Sequence, residues 1–255
     1  MSTNPFLKIV QIIYSFIVWL FLIISCFPLF IFDFIIWLFT FWWDKRTWVL
    51  HRYSIFWALI YVWLNPLWKI SIKGRENIDR KKTYVIISNH QSALDIVVLY
   101  RLYTHFKWIA KRELFRVPFV GWNLTLNRHV PIERSSPRSA VVMMKKALDH
   151  LHQGSSILIF PEGTRSEDGV IKRFKEGAFL IAQKAEVAIL PVILNGTLET
   201  LPKSGMIGGR QTFLIHVLPE IPYESFKGKS PSDIAKEMHQ LLTEEHKKMA
   251  PKYYS

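Results

Sequence analysis

A single cysteine, Cys26, stands in 255 residues. No disulfide framework can form within the chain, which accords with a catalytic domain in a reducing compartment. Charge is scarce at the start: residues 1–66 carry only Lys8, Asp33, Asp44, Lys45, Arg46 and Arg52. Such a stretch suits a membrane segment ahead of one domain of ordinary size. Acidic residues are also short, 20 against 33 basic, and residues 67–255 hold 18 of the first and 29 of the second, a net +11. A basic globular part points to an anionic partner. Nucleic acid is excluded, because most aromatics lie in the N-terminal part and there is no Arg-rich helix or aromatic RNA-binding strand pattern. Anionic membrane lipid, a phosphorylated substrate or an acidic carrier protein fit the charge. Internal repeats and low-complexity linkers are lacking too.

Hydrophobic residues are abundant at the N-terminus. Residues 9–32 form a 24-residue uncharged run, long enough to cross a bilayer as a helix. Pro28 lies inside it and Asp33 ends it. A second apolar run, 34–43, is too short to span and closes at Asp44-Lys45-Arg46. One reading is a single crossing; the other is a helical hairpin bent near Pro28 and seated in one leaflet. Lys8 and Lys45-Arg46 at the two ends both prefer the cytoplasmic side, which favours the hairpin and puts the catalytic part on that face. A cleaved signal peptide and a lipoprotein site at Ser25-Cys26 are rejected, since the apolar region continues past Cys26 with no small-residue cleavage motif. Residues 47–68 are apolar but interrupted by His51 and Arg52, and eight of the ten tryptophans fall within 1–68. Indole suits the headgroup level, so 47–68 reads as an interfacial helix, with a buried core helix as the alternative.

From about residue 67 the pattern changes. Strands are expected at 68–72, 84–88, 156–160, 187–194 and 212–218, and helices at 93–103, 137–153, 176–184 and 230–248. This alternation predicts an α/β fold, a mostly parallel sheet flanked by helices and preceded by an N-terminal apolar helical membrane anchor. The division is 1–66 for the anchoring segment and 67–255 for the catalytic domain. The tail from Pro251 is expected to fray.

Chemistry concentrates at strand ends. The run Tyr84-Val85-Ile86-Ile87 delivers Ser88-Asn89-His90-Gln91-Ser92-Ala93-Leu94-Asp95 to the start of a helix. Five residues apart in one helix, His90 and Asp95 would point about 140° apart. They meet only if His90 precedes the helix and Asp95 sits in its first turn. Ser92 to Asp95 fits a capping box, so Asp95 is read as a cap, as an orienter of the imidazole, or as both. Of nine histidines only His90 has Asp at i+5. Lys111-Arg112-Glu113-Leu114-Phe115-Arg116-Val117-Pro118-Phe119-Val120-Gly121 reads as a loop dense in cations. Glu133-Arg134 precedes a helix opening at Ser136-Pro137, where an arginine can fork a phosphate. The plain alternative for both is a solvated basic face. Phe160-Pro161-Glu162-Gly163-Thr164-Arg165-Ser166 follows the Ile157-Leu158-Ile159 strand. Gly163 allows close backbone approach, Thr164 and Arg165 can hold an anion, and Glu162 can accept a substrate hydroxyl. The alternative is Glu162 paired with Arg165. Leu190-Pro191-Val192 by itself reads as core.

Taken together in this order, these residues resemble the four blocks of the glycerolipid acyltransferases, and most of all their 1-acylglycerol-3-phosphate (lysophosphatidate) branch. The blocks run from 88 to 192, and the resemblance extends over about 67–225. It implies His90 as general base with Asp95 orienting it. It further implies Lys111 and Arg134 as phosphate-binding cations, Glu162, Gly163 and Arg165 as the acceptor's glycerol-phosphate site, and Pro191 on the acyl-chain side. Two departures are mild: Glu133 where Asp often precedes the arginine, and Leu190 where Val is common.

The expected reaction is direct transfer of a fatty acyl group from acyl-ACP or acyl-CoA to the sn-2 hydroxyl of lysophosphatidate. Backbone N–H groups at the helix start after Ser92 are candidate oxyanion donors. No metal and no cofactor is implied, since His90 and Asp95 lack His or Cys partners at ligand spacing. Acylation of another lysolipid and a non-catalytic membrane-surface binding protein are the competing readings.

Overall fold

The computed structural model describes residues 5–202 and 204–254. The chain opens with α1 (Pro5–Thr40) and α2 (Trp48–Trp63). Then β1 (Trp68–Lys73), β2 (Tyr84–Ser88), α3 (Leu94–Leu99), β3 (Phe106–Lys111), α4 (Val120–Leu126) and β4 (Val130–Ile132) follow. The second half runs α5 (Pro137–His152), β5 (Ser156–Ile159), α6 (Gly177–Ala185), β6 (Ala188–Asn195), α7 (Thr197–Thr200), β7 (Gln211–Val217), α8 (Tyr223–Phe226) and α9 (Pro231–Met249).

The seven strands form one sheet in the order β1-β7-β6-β2-β5-β3-β4, parallel throughout except for the β6–β7 pair. β2 lies inside the sheet, with Val85 opposite Ile157 of β5 and Ile189 of β6. All five of its residues are buried, which is why it reads as an unbroken apolar run. The two-residue period of a strand sorts its side chains. Tyr84 and Ile86 join the core beneath α2 and α3, while Val85 and Ile87 join the core beneath α5, α6 and α9. Both faces of the sheet are thereby covered, and the chain from β2 must leave at the sheet's C-terminal edge. Two strands escape the sequence pattern. β3 carries Lys107, wholly buried with its ammonium on the Thr47 hydroxyl, and burial drives its pKa down to about 7. β4 is only three residues long.

The N-terminal region differs from expectation in two ways. α1 runs through Pro28 as one 36-residue helix, about 54 Å long at the usual rise. The chain instead reverses at residues 41–47, so α1 and α2 are the arms of the pair. α2 is also not a surface helix, since Ile55, Ala58, Leu59 and Val62 fill the core with β1 and α3. Its outer face still exposes Trp48, Phe56 and Trp63. α1 buries only Ser15 and Asp33 and presents phenylalanine, isoleucine and leucine along its length. It is long and apolar enough to cross a membrane. Polar ties fix it to the rest: Ser15 Oγ accepts the Ile207 N–H at 2.9 Å, and the Trp19 indole donates to the Gly205 carbonyl at 2.9 Å. Arg46, at the reversal, donates to the Gly154 carbonyl.

Candidate active site

The turn between β2 and α3 is fastened before it carries any chemistry. The Asn89 side chain donates to the Leu194 carbonyl at 2.9 Å and accepts the Leu194 N–H at 2.8 Å, tying the end of β2 to the end of β6. His90 comes next, 8% exposed, with Nδ1 2.7 Å from Asp95 Oδ2. The same oxygen accepts the N–H groups of Gln91 at 2.6 Å and Ser92 at 2.9 Å. Asp95 Oδ1 accepts the Thr197 hydroxyl. A wholly buried carboxylate is thus met by four donors, as burial of a charge requires. Asp95 meets the imidazole and the N–H groups of the turn that precedes α3, while the N-cap of α3, Ala93, makes no side-chain cap bond. The capping box forms only in half: Ser92 Oγ accepts from Leu94 at 3.2 Å and donates to the Leu201 carbonyl at 2.7 Å. With Nδ1–H donating to Asp95 Oδ2, Nε2 keeps its lone pair for an incoming group. The His90 ring lies flat on Phe160, centroids 4.1 Å apart and planes 14° apart, which leaves it little rotational freedom.

Several N–H groups of the turn are already engaged. The N–H groups of Gln91 and Ser92 go to Asp95, that of Leu94 to Ser92 Oγ, and that of Asp95 to the Ser92 carbonyl. None of these four is free for a developing oxyanion.

The turn after β5 packs directly behind the histidine. The Ser166 N–H donates to the His90 carbonyl at 2.7 Å. Glu162 is 4% exposed. Its Oε1 accepts the His90 N–H at 2.7 Å and its Oε2 the Lys172 N–H at 2.9 Å. Burial pushes this carboxyl up to about 7, and the two N–H donors pull the other way. This corrects both sequence expectations for Glu162: it is neither open to a substrate hydroxyl nor paired with Arg165, but braces the backbone of His90. Gly163 takes φ +71°, and the Lys175 side chain lies 3.0 Å from where a Cβ would stand, so any larger residue would displace that ammonium. Thr164 is exposed and Arg165 half-buried. Lys172 Nζ donates to the Arg165 carbonyl at 3.1 Å.

The remaining predicted residues divide. Arg134 is exposed at the start of α5, and its guanidinium is held below its usual range by partial burial and by the charge of Arg165, with Glu113 opposing. The two arginines therefore share one field. Lys111 is exposed at the end of β3 and pairs with Glu113 at 3.4 Å. Pro191 is buried in β6 opposite Ile87. Its carbonyl accepts the Leu218 N–H at 3.0 Å, beyond the end of β7, where the proline has no N–H to return to the ladder.

Thr197, Lys175 and the C-terminus were not assigned from sequence. The tail does not fray: Pro251–Tyr253 is a 3₁₀ turn. The Tyr253 hydroxyl and the Lys252 ammonium both reach Glu199 of α7, two residues from Thr197. Tyr254 Oη is 2.9 Å from His246 Nδ1 and accepts the Ile171 N–H at 3.3 Å, and His246 Nε2 lies 3.4 Å from the Gln91 amide. The tail thus supports both sides of the His90–Asp95 turn. Tyr253→Phe with Lys252→Ala should lower kcat roughly threefold to tenfold, the worth of one or two net hydrogen bonds, with acceptor KM unchanged. Steady-state kinetics beside a thermal melt would check this. A fall in KM affinity without loss of kcat would contradict it.

Known proteins resemble this chain. A family model described as Acyltransferase matches residues 69–195. The 1-acyl-sn-glycerol-3-phosphate acyltransferase of Pseudomonas aeruginosa is 33% identical over 183 residues, 70% of this chain and 69% of that protein. A chloroplastic 1-acyl-sn-glycerol-3-phosphate acyltransferase of Arabidopsis thaliana is 42% identical over 153 residues, covering 60% of this chain and 42% of that protein. The chain spans less than half the length of this and of the matching Brassica and Chlamydomonas proteins. The crystal structure of the 1-acyl-sn-glycerophosphate acyltransferase PlsC from Thermotoga maritima superposes with a TM-score of 0.75 at 22% identity, covering 94% of this chain and 97% of that one. The fold is shared with it over that extent.

Proposed function

The chain belongs to the acyltransferase family, and from that premise we propose that it transfers a fatty acyl group from acyl-ACP or acyl-CoA to the sn-2 hydroxyl of 1-acylglycerol-3-phosphate, giving phosphatidic acid. The observation that carries the reading is the buried His90–Asp95 pair at 2.7 Å, with the carboxylate pinned by three further donors. His90 Nε2 takes the proton of the acceptor hydroxyl. The resulting alkoxide attacks the thioester carbonyl, and the tetrahedral intermediate expels the thiol, which takes up a proton. General base catalysis supplies roughly 10²–10⁴-fold, and alignment of the two substrates supplies further rate. Cys26 lies in α1 and has no part in this route.

Arg134 and Arg165 hold the acceptor's phosphate, with Lys111, Thr164 and the backbone at Gly163 around it. Two cations in one field favour a dianionic phosphomonoester over a neutral or singly charged headgroup. Residues 1–66 seat the molecule in the membrane, with the catalytic domain on the cytoplasmic face. The acceptor then arrives from the leaflet and the donor from solution. Arg134→Ala should raise the KM for lysophosphatidate about tenfold, as loss of an exposed charged hydrogen bond does, while turnover of a lysolipid without a phosphomonoester is unchanged. An unaltered lysophosphatidate KM would remove the phosphate assignment. The test of the whole reading is acyl transfer by the purified protein in mixed micelles. Phosphatidate formation from acyl-CoA or acyl-ACP supports it, and turnover only with another lysolipid would change the acceptor.

A further inference from the structure

Leu114, Val117, Val120 and Trp122 expose 41, 43, 40 and 46% of their surface. They follow one another through the 3₁₀ turn Arg112–Arg116 and into α4. Four large apolar side chains on a short surface segment are an unfavourable display toward water. The segment is not loose. Gly121 packs so closely on it that a Cβ there would lie 2.5 Å from the Leu114 carbonyl and the Phe115 backbone. At its tip Phe119 adopts φ +62°, a conformation that aromatic residues rarely take. Its ring is held by Phe27 and Phe30 of α1, with centroids 5.6 and 6.0 Å away, and by Trp122 at 5.1 Å. Phe30 also meets Trp122 at 5.2 Å. The apolar surface of α1 therefore continues without a break onto this segment, more than eighty residues later in the chain. Exposed cations accompany it: Arg112, paired with Glu133 at 3.2 Å, at its start, and Arg116 between Leu114 and Val117.

We propose that the segment from Arg112 to Trp122 is a second membrane contact, a preformed wedge that enters the same leaflet as α1. Leu114, Val117, Val120 and Trp122 sit below the phosphate level, and Arg112 and Arg116 bind the phosphates of anionic glycerophospholipids. Continuity with α1 sets the depth, and the charge sets the preference for an anionic surface. The wedge leads from the end of β3 toward α5, the stretch that carries Lys111 and Arg134. It thus holds the mouth of the phosphate site against the bilayer. Membrane contact stands on the surface alone; its use for acceptor delivery rests on the acyl-transfer reading above.

The full chain carrying Cys26→Ser receives a single environment-sensitive fluorophore through Val117→Cys, or at Glu224→Cys as an exposed control. With phosphatidylcholine–phosphatidylglycerol vesicles, the Val117 label should shift to the blue. It should be quenched several-fold more by lipid-borne than by aqueous quencher, with the opposite order at residue 224. Equal aqueous quenching at both positions would overturn the contact. Leu114→Asp with Val117→Asp, shown to be folded by its melt, should lower turnover of vesicle-embedded long-chain acceptor at least tenfold and leave a short-chain monomeric acceptor at the wild-type rate. Equal loss on both acceptors would overturn the delivery role. The label experiment reads the membrane contact even if neither acceptor is turned over, so failure of the wedge and failure of the acyl-transfer reading remain separate results.

Discussion

His90→Ala is expected to lower kcat by about 10²–10⁴-fold, the usual worth of a positioned general base, with the fold kept. The fold should survive because the turn does not depend on the imidazole. Asp95 still receives the Gln91 and Ser92 N–H groups and the Thr197 hydroxyl. Asn89 still ties the turn to β6, and the backbone N–H of residue 90 still reaches Glu162. What is lost is the ring on Phe160 and with it the only nitrogen poised for the acceptor hydroxyl in this arrangement. The acceptor KM should change little, since the phosphate site proposed above is Arg134 and Arg165 rather than the imidazole. Turnover of labelled acyl-CoA and acyl-ACP with lysophosphatidate, wild type beside variant at matched melting temperature, checks this. A variant within a few-fold of wild type would mean that another group takes the proton.

The parts of this site that are close in sequence were legible, and the parts joined through space were not. His90 and Asp95 lie five residues apart at the end of a fully apolar strand, so the need for a turn between them, if they pair, followed from helix geometry. Thr197 contacts the same carboxylate from 102 residues away, and no local pattern marks it. Glu162 was visible as an acid at a strand end, but which donors its oxygens face depends on how the turn after β5 folds back on His90. The inner strands β2, β5 and β6 were legible because burial on both faces makes them continuously hydrophobic. β3 was hidden by Lys107, which reads as a surface residue and is wholly buried. Pro28 suggested a bend, yet α1 continues through it as one helix. The tail read as polar and terminal, and it is ordered by the contacts of its two tyrosines.

Asp95→Asn is expected to cost nearly as much in kcat as His90→Ala, although the two side chains differ by one atom. The carboxylate accepts from all four groups around it. An asparagine brings an amide N–H₂ into that ring of donors. If its oxygen faces Gln91 and Ser92, the N–H₂ meets Thr197, which can turn its hydroxyl to accept, but the partner of His90 Nδ1 is then neutral and stabilises an imidazolium less. If the N–H₂ faces His90, Nδ1 must become the acceptor, the proton moves to Nε2, and the base is lost outright. Either arrangement removes the charge that favours proton uptake at Nε2. A kcat loss of about 10²–10⁴-fold follows, together with destabilisation of roughly 1–3 kcal/mol if a buried N–H loses its acceptor. Because Asp95 acts through His90, the double variant His90→Ala, Asp95→Asn should be no slower than His90→Ala alone. Single and double variants assayed for kcat beside their unfolding midpoints decide the matter. A double variant slower by the product of the two single effects would mean that Asp95 serves the reaction independently of the imidazole. An unchanged kcat in Asp95→Asn would reduce its part to capping the helix.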